Sequence, residues 1–246
     1  MKTRETGGGK TRQSLVKEFE ELKAKADQKL RKQQLSNDPR IAEMTADPFT
    51  WTTLFTKTYN EHWVEESRPS PYENFPAYDY LLDLLIQLEM QQITWIEKSR
   101  DMMISWACVA YLTLNAMKVP NRGVLFQTQK IDKAIQLVEY AKCLYRNQDP
   151  LLLEAFPLAK QLDRQAKHSL HFANGSYIVG IPGGADQIRS YHPWGYLLDE
   201  ASFVVEAGEC YNAALAAVSG KIILNSSAGP GWYADARHDI IRNVEE

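Results

Sequence analysis

From residue 93 onward the chain alternates short apolar runs with longer amphipathic ones. Residues 93–97 read as a strand and 105–117 as the helix after it; 123–127 is a second apolar strand, followed by a helix over 131–144. Residues 169–173 and 176–181 flank Asn174-Gly175, a dipeptide that accepts the positive φ angles of a tight hairpin. Residues 195–198 read as a buried strand, 206–218 as a helix and 221–225 as another buried strand. Short strands that are apolar throughout must be covered on both faces. The pattern therefore predicts an α/β fold with a mostly parallel central sheet and helices on both faces. Ligands of such sheets sit at the C-terminal strand ends, which points to the positions just after Glu97, Leu198 and Asn225.

Upstream the pattern differs. Leu15, Phe19, Leu22, Ala26 and Leu30 recur at spacings of three and four, forming one apolar stripe on a basic helix that ends near Asn37-Asp38-Pro39. Such stripes usually face a core, so the helix is expected to dock on the body through it; a partner-binding arm is the alternative. Residues 1–11 are polar and Gly-rich and read as a disordered tail. Residues 47–75 are aromatic-rich and irregular, with Trp51, Phe55, Tyr59, Trp63, Tyr72 and Phe75 as large anchors. The division is an N-terminal extension over 1–40 and one domain over 41–246, a length that suits a single large α/β core.

Composition changes this picture little. A 44% hydrophobic and 24% charged chain is ordinary for a soluble globular protein. The longest apolar runs, such as 105–114, are too short for a bilayer span, and the charged first forty residues do not form a signal peptide. Cys108, Cys143 and Cys210 are odd in number and widely spaced, which suits reduced thiols rather than a disulfide frame or zinc site. Charge is more telling. Residues 1–40 hold 11 Lys/Arg against 6 Asp/Glu, a net +5, and the rest hold 17 against 25, a net −8. The body lacks the basic balance of a dedicated DNA-binding domain.

Gly7-Gly8-Gly9-Lys10-Thr11 imitates the end of a phosphate loop, but Arg4 stands where the first glycine belongs and no buried strand precedes it. A phosphate loop needs a strand and a helix to hold its amides in a cup, so this segment reads as a tail. Tyr196-Leu197-Leu198-Asp199-Glu200 has the form of a Walker B strand, with Asp199 for the Mg²⁺ shell and Glu200 to polarise the attacking water. A surface acidic pair after a core strand is the plainer alternative. Lys98-Ser99-Arg100-Asp101-Met102-Met103-Ile104-Ser105-Trp106 has the strand–loop–helix setting. Ile104 replaces the usual lysine, while Ser105 keeps the hydroxyl position that faces Mg²⁺. Positive charge comes from Lys98 and Arg100 instead; an ordinary strand–helix connection with solvated Lys and Arg is the alternative.

In this order, the segments resemble the ATPase domain of large terminases, the motors that package double-stranded DNA into viral capsids. That family carries a deviant Walker A loop of the form K-S-R-x-x-G-x-S, which residues 98–105 match except for Met103 in place of glycine. Residues 181–193 are similar to the family's segment leading into Walker B, a Gly-rich, polar stretch that reads as an exposed loop, with Arg189 at the position of an arginine that reaches a neighbouring subunit's nucleotide; a plain surface charge is the alternative. Ser226-Ser227-Ala228 resembles its coupling motif. Phe75-Pro76-Ala77-Tyr78 stands where an adenine-contacting glutamine motif is usual; either Tyr78 or Phe75 would stack on the base, or the two are plain core aromatics.

The resemblance implies a P-loop NTPase of the ASCE/RecA-like type, with ATP and Mg²⁺ as cofactors. Lys98, Ser99, Arg100, Asp101, Met102, Met103, Ile104, Ser105, Trp106 and Tyr78 would hold the nucleotide. Ser105 and Asp199 would place the metal. Glu200, Lys98 and Arg189 would be catalytic, and Ser226 and Ser227 would couple hydrolysis to movement. Implied partners are double-stranded DNA, the portal of the procapsid, the small terminase subunit and further copies in a ring on the capsid, from a chain that is a monomer in solution. The setting would be the host cytoplasm, with no membrane. Relatives carry a nuclease domain after the ATPase, and no nuclease chemistry is expected within these residues. The rival readings are a superfamily 2 helicase-like ATPase and a nucleotide-binding scaffold without turnover.

Overall fold

The computed structural model describes residues 12–160 and 167–245, so the Gly7–Thr11 segment lies outside the described residues. The N-terminal part runs through α1 (Arg12–Ser36), α2 (Pro39–Met44), α3 (Pro48–Leu54), the antiparallel pair β1 (Lys57–Tyr59) and β2 (Tyr72–Asn74), and α4 (Asp79–Met90). Then follow β3 (Ile93–Lys98), α5 (Ile104–Lys118), β4 (Gly123–Gln127), α6 (Ile131–Arg146), α7 (Pro150–Ala155), β5 (Ser169–His171), β6 (Tyr177–Ile181), α8 (Ala185–Arg189), β7 (Gly195–Asp199), α9 (Ala207–Ala217), β8 (Lys221–Ser227) and α10 (Trp232–Glu245).

Several helix starts follow from one local device. Asp38-Pro39, Asp47-Pro48 and Asp149-Pro150 open α2, α3 and α7, with each aspartate accepting a first-turn backbone N–H and each proline pre-set at the first helical position. The hairpin between β5 and β6 turns at Gly175, whose φ of 89° suits glycine. Its neighbour Asn174 donates to the carbonyls of Ala116 (3.1 Å) and Met117 (2.9 Å), tying the turn to the end of α5.

The large sheet has the order β3-β8-β7-β4-β6-β5, parallel except for β5. Its side chains alternate between two cores. Val124, Phe126, Leu197 and Ile223 enter the one built with α4, α5 and α6; Leu125, Tyr196, Leu198, Ile222 and Leu224 enter the one covered by α8, α9 and α10. This is the mostly parallel α/β sheet with helices on both faces that the apolar runs predict.

Three expectations are corrected. Residues 47–75 contain α3 and the β1–β2 pair, because the Asp47-Pro48 cap and the cross-strand Tyr59–Tyr72 contact supply local order. Arg189 ends a short helix, α8, rather than lying in a loop. Finally, the described part of the stripe on α1 is not docked: Phe19, Leu22 and Leu30 are exposed, while the Leu15 side chain lies outside the described residues, and the C-terminal end is attached through buried Leu35 and the Arg31–Glu154 ion pair at 2.6 Å. No helix among the described residues is long and apolar enough to cross a membrane.

Candidate active site

Parallel pairing puts the C-terminal ends of successive strands at one sheet edge, which is how residues about a hundred positions apart come to meet. β3, β8 and β7 are neighbours, and their registers pair Glu97 with Ser226, Lys98 with Ser227 and Asp199 with Asn225. Between Lys98 and α5, Asp101 and Met103 adopt positive φ values of 59° and 56°. A left-handed conformation costs a side-chain-bearing residue about 1–2 kcal/mol. Position 103 is thus one where glycine would fit without strain, and Met103 bears that strain while packing, half-buried, against the core. No side chain caps α5. Its first-turn amides lack intrahelical partners and sit at the positive end of the helix dipole, a seat for an anion.

Beside this seat lie two pairs of side chains. Ser105 Oγ donates to Asp199 Oδ1 at 2.8 Å. Lys98 Nζ donates to Glu200 Oε1 at 2.6 Å, and the other Glu200 oxygen accepts from Ser227 N (3.1 Å) and Ser227 Oγ (2.7 Å). Ser226 Oγ accepts from Ser202 N at 3.0 Å, fixing the turn after β7 to the end of β8. The adjacent carboxylates diverge because Asp199 still belongs to the strand while Glu200 turns left-handed, with a φ of 55°. Their electrostatics diverge too. Burial drives the Asp199 carboxyl above the usual carboxylate range, against the pull of Ser105 and Lys98. For Glu200, burial is outweighed by the hydrogen bonds from Lys98 and Ser227, and its carboxyl is held below that range. Neighbouring acids with opposed shifts are typical of sites where the two groups have different tasks.

The remaining residues take varied places. Ser99, Arg100 and Asp101 are exposed on the loop, and Met102 is half-buried. Ile104 and Trp106 are buried, and the Trp106 ring stacks on Tyr140 of α6 at 4.0 Å, so at these two positions only the main chain is left for a ligand. Phe75 is buried and cannot stack on a base. Tyr78 is exposed and stacks on Tyr80 at 5.5 Å, and Tyr80 donates its hydroxyl to the Met102 carbonyl at 3.2 Å. Arg189 is exposed and pairs with Asp186 of its own helix at 2.8 Å, not with the cluster.

Two residues escape the sequence reading. Tyr80 touches the loop, a contact that no motif spacing signals. Asn225, fully buried with Oδ1 lacking a hydrogen-bond partner, stands beside Asp199. An amide closing the apolar run 222–224 is the signal that was available for it.

The donor set fits Mg²⁺. A hard cation takes oxygen ligands, few of them from protein, and Ser105 and Asp199 present two side-chain oxygens together. A cation there would relieve the burial of the Asp199 charge. The loop-bearing strand β3, the inserted β8 and the carboxylate strand β7 lie side by side, and fold and site define an α/β domain whose candidate site is at the C-terminal ends of parallel strands.

No protein-family model matches the chain, and no curated protein matches it in sequence. Among solved structures, the large terminase of bacteriophage HK97 superposes with a TM-score of 0.58 at 12% identity, covering 82% of this chain and 42% of that one. The large terminase ATPase domain of Thermus phage P74-26 gives 0.45 at 14% identity, covering 66% of this chain and 74% of that one. The fold of this chain is that of a bacteriophage large terminase, of which it spans less than half the HK97 protein's length.

Proposed function

We propose that this chain hydrolyses MgATP and that hydrolysis drives double-stranded DNA into a viral procapsid, as the motor part of a terminase large subunit. The observation that carries the reading is the meeting, at one sheet edge, of the Ser105–Asp199 pair and the Lys98–Glu200 pair beside an uncapped helix N-terminus. Lys98, exposed Arg100 and the first-turn amides of α5 bind the polyphosphate, with Ser99, Asp101, Met102 and Met103 shaping the loop. Tyr78 lies against the base. Ser105 and Asp199 would hold Mg²⁺, which would supply charge neutralisation for the phosphates.

Glu200 stays ionised at neutral pH because Lys98 and Ser227 stabilise its charge, and it orients the attacking water. Phosphates arriving at the loop compete with Glu200 for Lys98. As Lys98 leaves, one Glu200 oxygen becomes available to the water while Ser227 keeps hold of the other. Ser226 and Ser227 thereby link the state of Glu200 to β8 and the turn at Ser202. Arg189, exposed on α8, is available to a neighbouring copy's nucleotide. The portal, the small terminase subunit and a ring of copies are the partners this role requires, in the host cytoplasm.

Phosphate release from MgATP, with and without linear duplex DNA, tests the proposal. DNA-stimulated turnover that Asp199→Asn abolishes would support it. MgATP binding without turnover would favour the scaffold reading, which strained Met103 in the loop makes specific. Failure to bind MgATP would overturn both.

A further inference from the structure

We infer that α1 is an arm that docks on α4 of a second copy of this chain, in a head-to-tail contact. α1 is 25 residues long, about 37 Å at 1.5 Å per residue. Its C-terminal end is anchored by Leu35 and the Arg31–Glu154 pair. At 100° per residue, Phe19, Leu22, Ala26 and Leu30 lie within one narrow stripe, and the three large side chains are 55–68% exposed. Lys23 borders the stripe on one side, and Lys25, Lys29 and one acid, Glu18, on the other, all exposed.

α4 presents the counterpart. It buries Leu81, Leu85 and Leu88 in its own core. A second face carries Leu82, Ile86 and Met90 at spacings of four, 36–71% exposed. Asp79 continues this face at the start of the helix and Asp83 borders it on one side, while Glu89 on the other side already faces Tyr111, Lys118, Arg122 and Lys221 of its own chain; α4 contains no basic residue. The apolar stripes match in pitch, each spanning two to three turns, and Lys23, Lys25 and Lys29 of the arm are opposite in sign to Asp79 and Asp83 of the face. The same asymmetry runs through the whole chain, +5 in residues 1–40 against −8 in the remainder.

A second copy is therefore the occupant both helices fit: apolar side chains interdigitate at the centre and the charges select the pairing. A contact between different patches of identical chains is heterologous, and it closes into a ring if the rotation permits. It would also place the neighbour close to the nucleotide loop, since α4 begins next to Tyr78 and Tyr80, and Tyr80 holds the Met102 carbonyl. The inference rests on these two faces and not on the ATPase reading.

Sedimentation velocity over a concentration series tests it with two full-length variants. One reverses the arm (Lys23→Glu, Lys25→Glu, Lys29→Glu) and the other the face (Asp79→Lys, Asp83→Lys). Each alone should associate roughly tenfold more weakly than the unaltered chain, as several rim pairs turn repulsive. Mixing the two should restore association, because reversed arm then meets reversed face. Oxidising a mixture of Leu22→Cys and Ile86→Cys chains should give a cross-linked heterodimer. A chain that is monomeric throughout, a mixture that fails to recover, or Leu22→Cys chains cross-linking to each other would each overturn the inference.

Discussion

Replacing Glu200 with glutamine changes one charge at the point where three donors converge. In the nucleotide-free protein, Lys98 Nζ is 2.6 Å from one carboxylate oxygen, and Ser227 holds the other. Lys98 is therefore occupied, and phosphates reach it only by competing with Glu200. A hydrogen bond to a charged partner contributes about 1.5–3 kcal/mol. The Lys98 side chain is 10% exposed, but that of Glu200 is 35% exposed, so solvent screening reduces the figure to about 1 kcal/mol. Glu200→Gln removes most of that competition, and the Kd for MgATP should fall about fivefold. The substitution also removes the group that orients water, so turnover should drop by about two to four orders of magnitude. Titration calorimetry with MgATP and single-turnover phosphate release measure the two effects separately. Tighter binding with lost turnover is the expected pair. Binding that weakens or stays the same would refute the competition for Lys98, and unchanged turnover would remove Glu200 from the chemistry.

Asp199→Asn should weaken nucleotide binding only when Mg²⁺ is present, and it should raise the Tm of the ligand-free protein. Because the folded-state pKa of Asp199 is raised, its contribution to stability is full below the ordinary aspartate pKa and is lost as pH rises through the folded value. The Tm advantage of the variant, about 2–4 °C per 1 kcal/mol for a domain of this size, should therefore vanish in acid; a pH-independent advantage would count against the assignment. Met103→Gly relieves about 1–2 kcal/mol of left-handed strain, but it adds about 0.5–1 kcal/mol of backbone entropy cost and gives up the half-buried packing of the methionine, leaving stability nearly level. Nucleotide affinity should rise, as a titration with MgATP would reveal, and a loss of affinity would mean that the methionine shapes the loop productively. Arg189→Ala should keep MgATP binding and lose assembly-dependent turnover. Mixtures with Glu200→Gln should partly recover turnover, and no recovery at any ratio would place Arg189 outside a shared site.

Much of this architecture is legible in one dimension. Buried parallel strands need apolar side chains on both faces, so 93–97, 123–127, 195–198 and 221–225 stand out as short runs, and β3, β4, β7 and β8 extend them by at most two residues. The 98–105 and 199–200 segments are legible because strand–loop–helix and strand–carboxylate junctions leave local signatures. Less legible were α4 and α10, whose faces mix apolar and acidic residues, and the Asp-Pro caps that order residues 38–54. Trp106 follows Ser105 directly, yet its ring turns to Tyr140, since consecutive helical positions point about 100° apart.

What the sequence determined by itself is therefore the set of elements and the chemical groups at their ends, because periodicity and capping are properties of neighbouring residues. Tertiary structure decided which ends meet. Chain order places β8 last among the strands, but the sheet inserts it between β3 and β7, and only that insertion puts Ser227 against Glu200 and Asn225 beside Asp199. The same limit applies to α1. A helical period tells which side chains share a face, whereas what covers that face depends on the path of the rest of the chain, and here that path leaves Phe19, Leu22 and Leu30 exposed.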